Sequence, residues 1–549
     1  MRSSTTVVAG PLARWRIAIL PLVVVLALCL IGAQLNPYLG DYGDDAEFLV
    51  LGQGLVQGAG YVWANSPERA PHNRYPPGYP LLLAGTMLAT GTRDQALAAI
   101  LPAKLVTAAS HVAAMALVWL LARRRLPGGW AVAAVAAYAF NPFAIRFAVQ
   151  IMSDVPYILA LLGALVWAEA VPARRPVPLR HWLALGALLA LGAYVRTIGD
   201  VAAVGVIAWA WWRAGRRAAL AAAATFLACM IPWWLRDLTL SGGWRYAHEL
   251  LAAQYQDPSA GVLTPAALLR RALDNGAFII EKPGVFGAAG FVLGGAAAAV
   301  TLLGYWRCLR LAGGAAEWVA VPLVLAVLVW PIKTGRYLLP VVPLAGIYAI
   351  AGGLAVAGWL AARQARRGAV SHASVRLPWR GVLGATVAGI IAFEAAYATR
   401  EAMANVRALA GMADGQDAPG YYRQRPDWAH YLQAAEWLRA NAGPHDVAMA
   451  RRHFALYVYS GHLTDKYRYD VTPDELDYLF SGTQRKFIVE DAFDVLRGDF
   501  APLPAAVRAR GGDLVLRFET GDPTVRVWEL VRPGEPGDRG GAVFSPPGA

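Results

Sequence analysis

The sequence predicts a polytopic α-helical membrane protein of about eleven spans, with a small soluble α/β domain at its C-terminal end. Three observations carry this. The 549 residues are 57% hydrophobic and only 16% charged, where a soluble domain carries about 25% charged residues. Apolar runs near the roughly 20 residues needed to cross a bilayer recur through the first 400 residues. Beyond about residue 400 the composition turns polar and the apolar stretches shorten.

The N-terminus places Arg2, Arg14 and Arg16 before an apolar run that reaches about Leu35. That is the order of parts in a signal sequence. The run is long for a signal core and more spans follow, so it reads as an uncleaved first span. Further clean runs lie near 98–121, 130–147, 155–171, 315–332, 338–361 and 380–398. Residues 182–195 and 198–212 are short and flank Arg196, residues 218–235 end in IPWWLR, and residues 284–305 are rich in Gly and Ala.

Arginine placement sets the orientation. With the N-terminus in the cytoplasm, the cytoplasmic connections hold Arg123–Arg125, then Arg174, Arg175 and Arg180, then Arg213, Arg216 and Arg217, then Arg307 and Arg310, then Arg363, Arg366, Arg367, Arg376 and Arg380. None of these loops contains an acid, and the alternation holds throughout. The net charge of +13 is therefore topology written in short clusters, and no nucleic-acid partner is expected. Residues 36–97, 236–282 and everything after about 400 fall on the outer side. Residues 79–91 are then a helix in the outer interface, because a full span there would reverse every later loop. The three cysteines (Cys29, Cys229, Cys308) lie in or beside apolar runs and form no disulfide framework or CxxC metal site.

The domain plan follows. Residues 1–399 form the membrane domain, with a large outer loop over 36–97, and 400–426 form a linker. Residues 427–532 form the soluble domain: a helix over 427–441, a strand at 446–450, a helix-like stretch at 472–482, a strand at 486–490, a helix over 493–506, and strands at 513–519 and 524–530. Alternating elements of this size predict a small α/β domain. The Gly- and Pro-rich tail after 533 reads as disordered.

The outer loop carries the chemistry. Asp41, Asp44, Asp45 and Glu47 fall within seven residues, just past the first span. Asp44 and Glu47 also fit a capping box for a helix over 45–57 that stops near Gly58 and Gly60. Capping accounts for one Asp and one Glu, and leaves Asp41 and Asp45 without a role. Five cations, Arg146, Arg196, Arg236, Lys333 and Arg336, sit at outer span edges, where topology disfavours them. Each alone could snorkel to a headgroup. Five at one level read as a site for an anionic group.

These parts occur in a known order. The outer Asp motif is followed by YPPGYPLLLAG, NPFAIRFAVQIMSDVPY, YVRTIG, IPWWLRDLTLSGG and GRYLLPVVPL. The arrangement over about residues 15–400 resembles the GT-C glycosyltransferases, integral membrane enzymes that use polyprenyl-phosphate-linked sugars. It is most similar to the bacterial aminoarabinose transferases of lipid A and to the protein O-mannosyltransferases. The resemblance implies an inverting transfer to a glycolipid, polysaccharide or protein of the cell envelope, at the outer face of the inner membrane. It implies that Asp44 opens the D-[ED]-x-x-[YFH] motif as base, with Asp45 beside it and Phe48 at the aromatic place. The family's Lys-Pro-Pro appears here as Tyr75-Pro76-Pro77, with Arg74 adjacent. Asp154 takes the second outer acidic position, and Arg336 with Tyr337 matches a late Arg-Tyr.

The residues suit that chemistry. A carboxylate must accept the acceptor's proton, and fixed positive charge must stabilise the departing phosphate. The expected substrate-binding residues are Arg74, Tyr75, Arg196, Lys333, Arg336 and Tyr337, of which Arg336, Arg196 and Arg74 are expected to contact the phosphate. A divalent metal is left open: Asp44, Asp45, His72, Asp154 and His248 all read as outer-side, but no spacing among them is diagnostic. Two other classes remain, a lipid-linked-sugar flippase and a non-catalytic envelope scaffold. The charges lie at the outer edge rather than the midplane, and no inverted repeat is evident, which speaks against transport.

The topology is open to direct test. A reporter active only in the cytoplasm, fused after residue 420, is expected to be silent. Strong activity would mean a span count wrong by an odd number.

Overall fold

The structure is a computed structural model that describes residues 11–40, 43–171, 177–241, 245–254, 257–281, 291–368, 378–412, 418–493 and 498–534. Arg2, Asp41, Arg174, Arg175, Arg376, the start of the 284–305 run and the tail from 535 lie outside the described residues. The chain forms two compact units. One comprises Met1–Gln34, Asn73–Tyr79 and Leu105–Ala402; the other comprises Leu35–His72, Pro80–Lys104 and Met403–Ala549.

The first unit is helical. Among the described residues, Ile100–Arg125, Arg216–Leu240, Gly335–Arg366 and Trp379–Ala410 are each long and apolar enough to cross a membrane, and the bent pair Trp130–Ala139 and Pro142–Ala148 makes a fifth. Shorter apolar helices include Ile19–Gln34, Leu179–Val195 and Ala315–Val329. The sequence reads 130–147 as one span; the structure breaks it by 55°. The cause is local. Pro142 has no N–H to continue a helix and sits at the first position of a new one, and the Asn141 side chain caps that helix by accepting from Ala144 N at 3.0 Å. Helices Phe291–Leu311 and Val342–Gly368 pack at backbone distance through glycine: a Cβ on Gly304 would overlap the Tyr348 carbonyl, and one on Gly352 would overlap that of Val300. Small residues permit such close helix approach where lipid supplies no hydrophobic drive.

Arg125, at the end of Ile100–Arg125, is gripped by two acids. Its guanidinium lies 2.6 Å from both Glu169 and Glu317. Glu317 also accepts from Gly314 N at 2.8 Å, and Glu169 from Ala316 N at 3.1 Å. One buried arginine thus ties together the ends of three helices. The loops contain no acid, but the span ends that flank them do.

The second unit contains a five-stranded sheet in the order Leu463–Lys466, Val447–Ala450, Lys486–Glu490, Arg526–Val531, Asp513–Glu519. The first three strands are parallel, and the last two join antiparallel. Side chains alternate between faces. Val447, Met449 and Ile488 pack with Leu476 and Leu479 of Pro473–Phe480 and with Leu503 and Val507 of Leu503–Ala509. Phe487 and Phe518 meet Trp437 of helix Pro426–Asn441. Helix His453–Ser460 and strand Leu463–Lys466 were not anticipated from sequence; Gly461, at φ 76°, ends that helix and turns the chain. The expected helix over 493–506 is instead Leu503–Ala509, because Pro502 and Pro504 start a helix rather than sit inside one.

Segments from the first outer loop are part of this second unit. Leu39 N donates to Tyr459 Oη at 2.9 Å, and Tyr422 Oη donates to the Leu39 carbonyl. Asn65 Nδ2 donates to Thr464 O at 3.1 Å and Oγ1 at 3.0 Å, while Thr464 N donates to Asn65 O at 2.8 Å.

Candidate functional site

The acidic loop belongs to the second unit. Its helix runs Asp44–Val56 and begins one residue earlier than expected: Gly43, at φ 70°, is the N-cap, and no side chain caps the helix. The capping role assigned to Asp44 is therefore not present. Glycine relieves the strain of positive φ here, and the backbone itself makes the turn. A Cβ on Gly43 would lie 3.6 Å from Arg452 Nη1. Arg452 in turn stacks over Trp428 and Phe493, at 4.9 and 4.5 Å from the ring centres.

The two adjacent aspartates have different surroundings. Asp44 is partly exposed on the first turn. Asp45 is 2% exposed and accepts from the backbone N–H of Gly40 and, at 2.9 Å, of Ala46. Burial pushes the Asp45 carboxyl up to about 6, against the pull of those two N–H groups and of the Lys104 charge. Lys104 donates to Asn36 Oδ1 at 2.7 Å, and Asn36 donates to Asn405 and Tyr421 at 3.0 and 2.9 Å. Asp45 and Lys104 are thus parts of the framework that holds the loop against the 403–460 region. Glu47 and His72 are also buried and lie 3.8 Å apart.

The second cluster belongs wholly to the helical unit. Asp154 begins helix Asp154–Glu169 and is fully buried. Its Oδ2 receives Arg196 Nη1 at 2.9 Å and Arg336 Nε at 3.0 Å. Its Oδ1 is buried with no hydrogen-bond partner among the described residues. Each residue sits at a chain break. Arg196 is extended between helices Leu179–Val195 and Ile198–Ala214. Arg336 lies in the 3-10 turn Gly335–Val341, whose start Thr334 caps through Arg336 N at 3.3 Å. Irregular backbone at membrane depth is tolerated where it lines a polar site. Both guanidiniums meet the same carboxylate oxygen, on arginine side chains 14% and 11% exposed.

A chain of aromatic contacts extends from this cluster. Arg196 lies over the Tyr337 ring at 5.8 Å. Tyr337 meets Trp330 at 5.7 Å, Trp330 meets Tyr246 at 6.1 Å, and Tyr246 Oη donates to the Arg74 carbonyl at 2.8 Å. Arg74 stacks on Tyr75 at 5.2 Å. Asn275 fixes the Trp330 end by donating to the carbonyls of Leu328 and Trp330 at 2.8 Å each. Of the expected substrate-binding residues, Arg74, Tyr75, Arg196, Arg336 and Tyr337 join this arrangement. Lys333 instead faces Asp274 at 3.7 Å in a half-exposed pair.

Sequence reasoning missed Tyr246, Trp330, Arg452 and Lys104. Lys104 carried a signal, a lone lysine inside an apolar run. The residues named for a metal do not gather: among the described residues, no group of three or more His, Cys, Asp or Glu side chains comes together. His248 is exposed, and Asp154 is engaged by two arginines.

Residues 74–235 match the model of the dolichyl-phosphate-mannose-protein mannosyltransferase family. That stretch includes Arg74, Asp154 and Arg196. No curated protein matches the sequence. Among solved structures, the chain is similar to ArnT from Cupriavidus metallidurans in the apo state, with a TM-score of 0.58 at 14% identity, over 93% of this chain and 98% of that one. The same protein bound to undecaprenyl phosphate gives 0.55 at 13% identity, over 94% and 98%. The archaeal oligosaccharyltransferase AglB from Archaeoglobus fulgidus, in complex with an inhibitory peptide and a dolichol-phosphate, gives 0.52 at 12% identity, over 91% and 73%. The chain shares the fold of these membrane-protein structures, and several of its described helices are long and apolar enough to cross a membrane.

Asp45 yields a pH prediction. Its carboxyl releases the proton near 3.8 in the unfolded chain and near 6 when folded. The folded state therefore holds more protons between these values, and stability falls as pH rises from about 4 to about 6, then levels, by at most about 3 kcal/mol. Asp45→Asn removes the titrating group and is expected to flatten this part of the curve. Thermal unfolding of purified protein from pH 4 to 7 measures it. The same slope in the Asn variant would exclude Asp45 as its source.

Proposed function

We propose that the chain transfers a sugar from a polyprenyl-phosphate donor to a hydroxyl of an envelope acceptor, at the outer face of the membrane. The observation that carries this reading is the buried Asp154 with Arg196 and Arg336 held on one of its oxygens. A carboxylate that fixes two guanidiniums orders positive charge in a region where water is scarce. Such preorganised charge stabilises a leaving phosphate without reorganisation during reaction. Supporting it are the mannosyltransferase pattern over residues 74–235 and a fold shared with an ArnT that was solved with undecaprenyl phosphate bound.

In this reading Arg196 and Arg336 contact the donor phosphate, and Tyr337 and the Arg74–Tyr75 segment shape its surroundings. Asp44 is the base. The acceptor oxygen attacks the anomeric carbon, the bond from that carbon to the phosphate oxygen breaks, and its electron pair leaves on the polyprenyl phosphate. The acceptor proton passes to the Asp44 carboxylate. A single displacement of this kind inverts the anomeric centre. Asp45 is a positioning residue that holds the loop. The reading carries with it eleven spans, a cytoplasmic N-terminus, and a soluble domain over 427–532 on the outer side.

Asp44→Asn is the test. Asp44 does not cap the helix, so the Asn variant is expected to keep wild-type thermal stability. It cannot accept a proton, so turnover of a polyprenyl-phosphate sugar is expected to drop about 10²–10⁴-fold while donor binding is kept. Normal turnover in Asp44→Asn would remove it as base, and Asp154→Asn would then be the variant to assay.

A further inference from the structure

A second charged cavity lies in the helical unit, at its arginine-rich helix ends, and the reaction proposed above leaves it unused. It measures about 400 Å³ and is lined by Arg124, Arg125, Arg307 and Arg380, with Leu311 and Leu354 among its apolar walls. The four arginines come from three helices: Arg124 and Arg125 from the last turn of Ile100–Arg125, Arg307 from the end of Phe291–Leu311, and Arg380 from the first turn of Trp379–Ala410.

Their roles differ. Arg125 is 1% exposed and committed to Glu169 and Glu317, so it forms a rigid back wall. Arg124 reaches Glu169 only at 3.4 Å and is one-third exposed. Arg307 and Arg380 are exposed and make no ion pair among the described residues. Four guanidiniums against two carboxylates leave two positive charges around one cavity. Membrane orientation asks for arginines at these helix ends. It does not ask that they surround a cavity. Arg380 also sits on a helix N-terminal turn, where the dipole disfavours a cation.

We propose that this cavity binds a phosphate group, and that its source is the headgroup of an acidic membrane lipid. The walls favour a lipid over a soluble anion. The cavity opens at the ends of helices that are long and apolar enough to cross a membrane, two of which, Ile100–Arg125 and Trp379–Ala410, supply its arginines. Basic pockets between membrane helices are the surfaces that recognise anionic headgroups. Leu311 and Leu354 give the first carbons of an acyl chain an apolar neighbour.

The experiment is a thermal-unfolding titration of the purified full-length protein in neutral detergent. The probes are phosphatidylglycerol, phosphatidylcholine and inorganic phosphate, with no polyprenyl phosphate present, so its outcome is separate from that of the proposed reaction. Phosphatidylglycerol is expected to raise the melting temperature to a plateau, and phosphatidylcholine to leave it unchanged. The Arg307→Gln/Arg380→Gln double variant is expected to need at least about tenfold more phosphatidylglycerol for half the shift. The single variant Arg380→Gln, changed on an exposed first turn, gives the same reading with a smaller change if the double variant folds poorly. An equal rise with inorganic phosphate that the variants weaken would keep the phosphate site and overturn the lipid as its source. No rise with either probe, or the same half-saturation in the variants, would overturn the site.

Discussion

The helical unit is arranged around one carboxylate. Asp154 is fully buried, and an isolated buried charge costs several kcal/mol. Arg196 and Arg336 offset that cost, the first from an extended residue between two helices and the second from a 3-10 turn. The break after Val195 and the Gly335–Val341 turn each carry one of its arginine partners. Among the described residues the second oxygen of Asp154 has no hydrogen-bond partner, and it is what the cluster leaves available to a ligand.

The acidic loop is governed by a different constraint. The segment from Asn36 to Glu47 is fastened by side chains far along the chain: Tyr422, Tyr459 and Asn405 bond its residues or their neighbours. Asp45 is buried against the backbone N–H groups of Gly40 and Ala46, and Asp44 is left partly exposed. Two adjacent aspartates of the same chemistry are separated in role by one turn of backbone at Gly43. The five-stranded sheet and the acidic loop thus belong to one unit, a pairing the sequence gives no sign of.

Much of this was legible. Periodicity and arginine placement gave the helical class, and strand-length apolar runs located four of the five sheet strands. The acid motif, Arg196 and Arg336 were each singled out by a local rule, that a charge beside an apolar run is costly, and Asp154 by the motif resemblance. What local rules could not supply was pairing. Arg336 meets Asp154 across 182 positions, and nothing in the neighbourhood of either residue encodes the other. Lys333, three residues from Arg336, obeyed the same rule and faces Asp274 instead. The capping box at Asp44 failed because the pattern cannot tell whether the preceding glycine adopts positive φ. Lys104 was overlooked because the apolar run around it was read as a whole, and the 493–506 helix was misplaced because Pro502 and Pro504 were given too little weight.

The central claim is that the Asp154 cluster holds the phosphate of a lipid-linked donor. The most direct measurement is the affinity of the purified protein for undecaprenyl phosphate, in wild type and in Arg196→Ala and Arg336→Ala variants. Each lost charge-assisted contact is expected to cost on the order of 1.5–3 kcal/mol, so that binding weakens at least about tenfold per variant. Unchanged affinity in both variants would contradict the account.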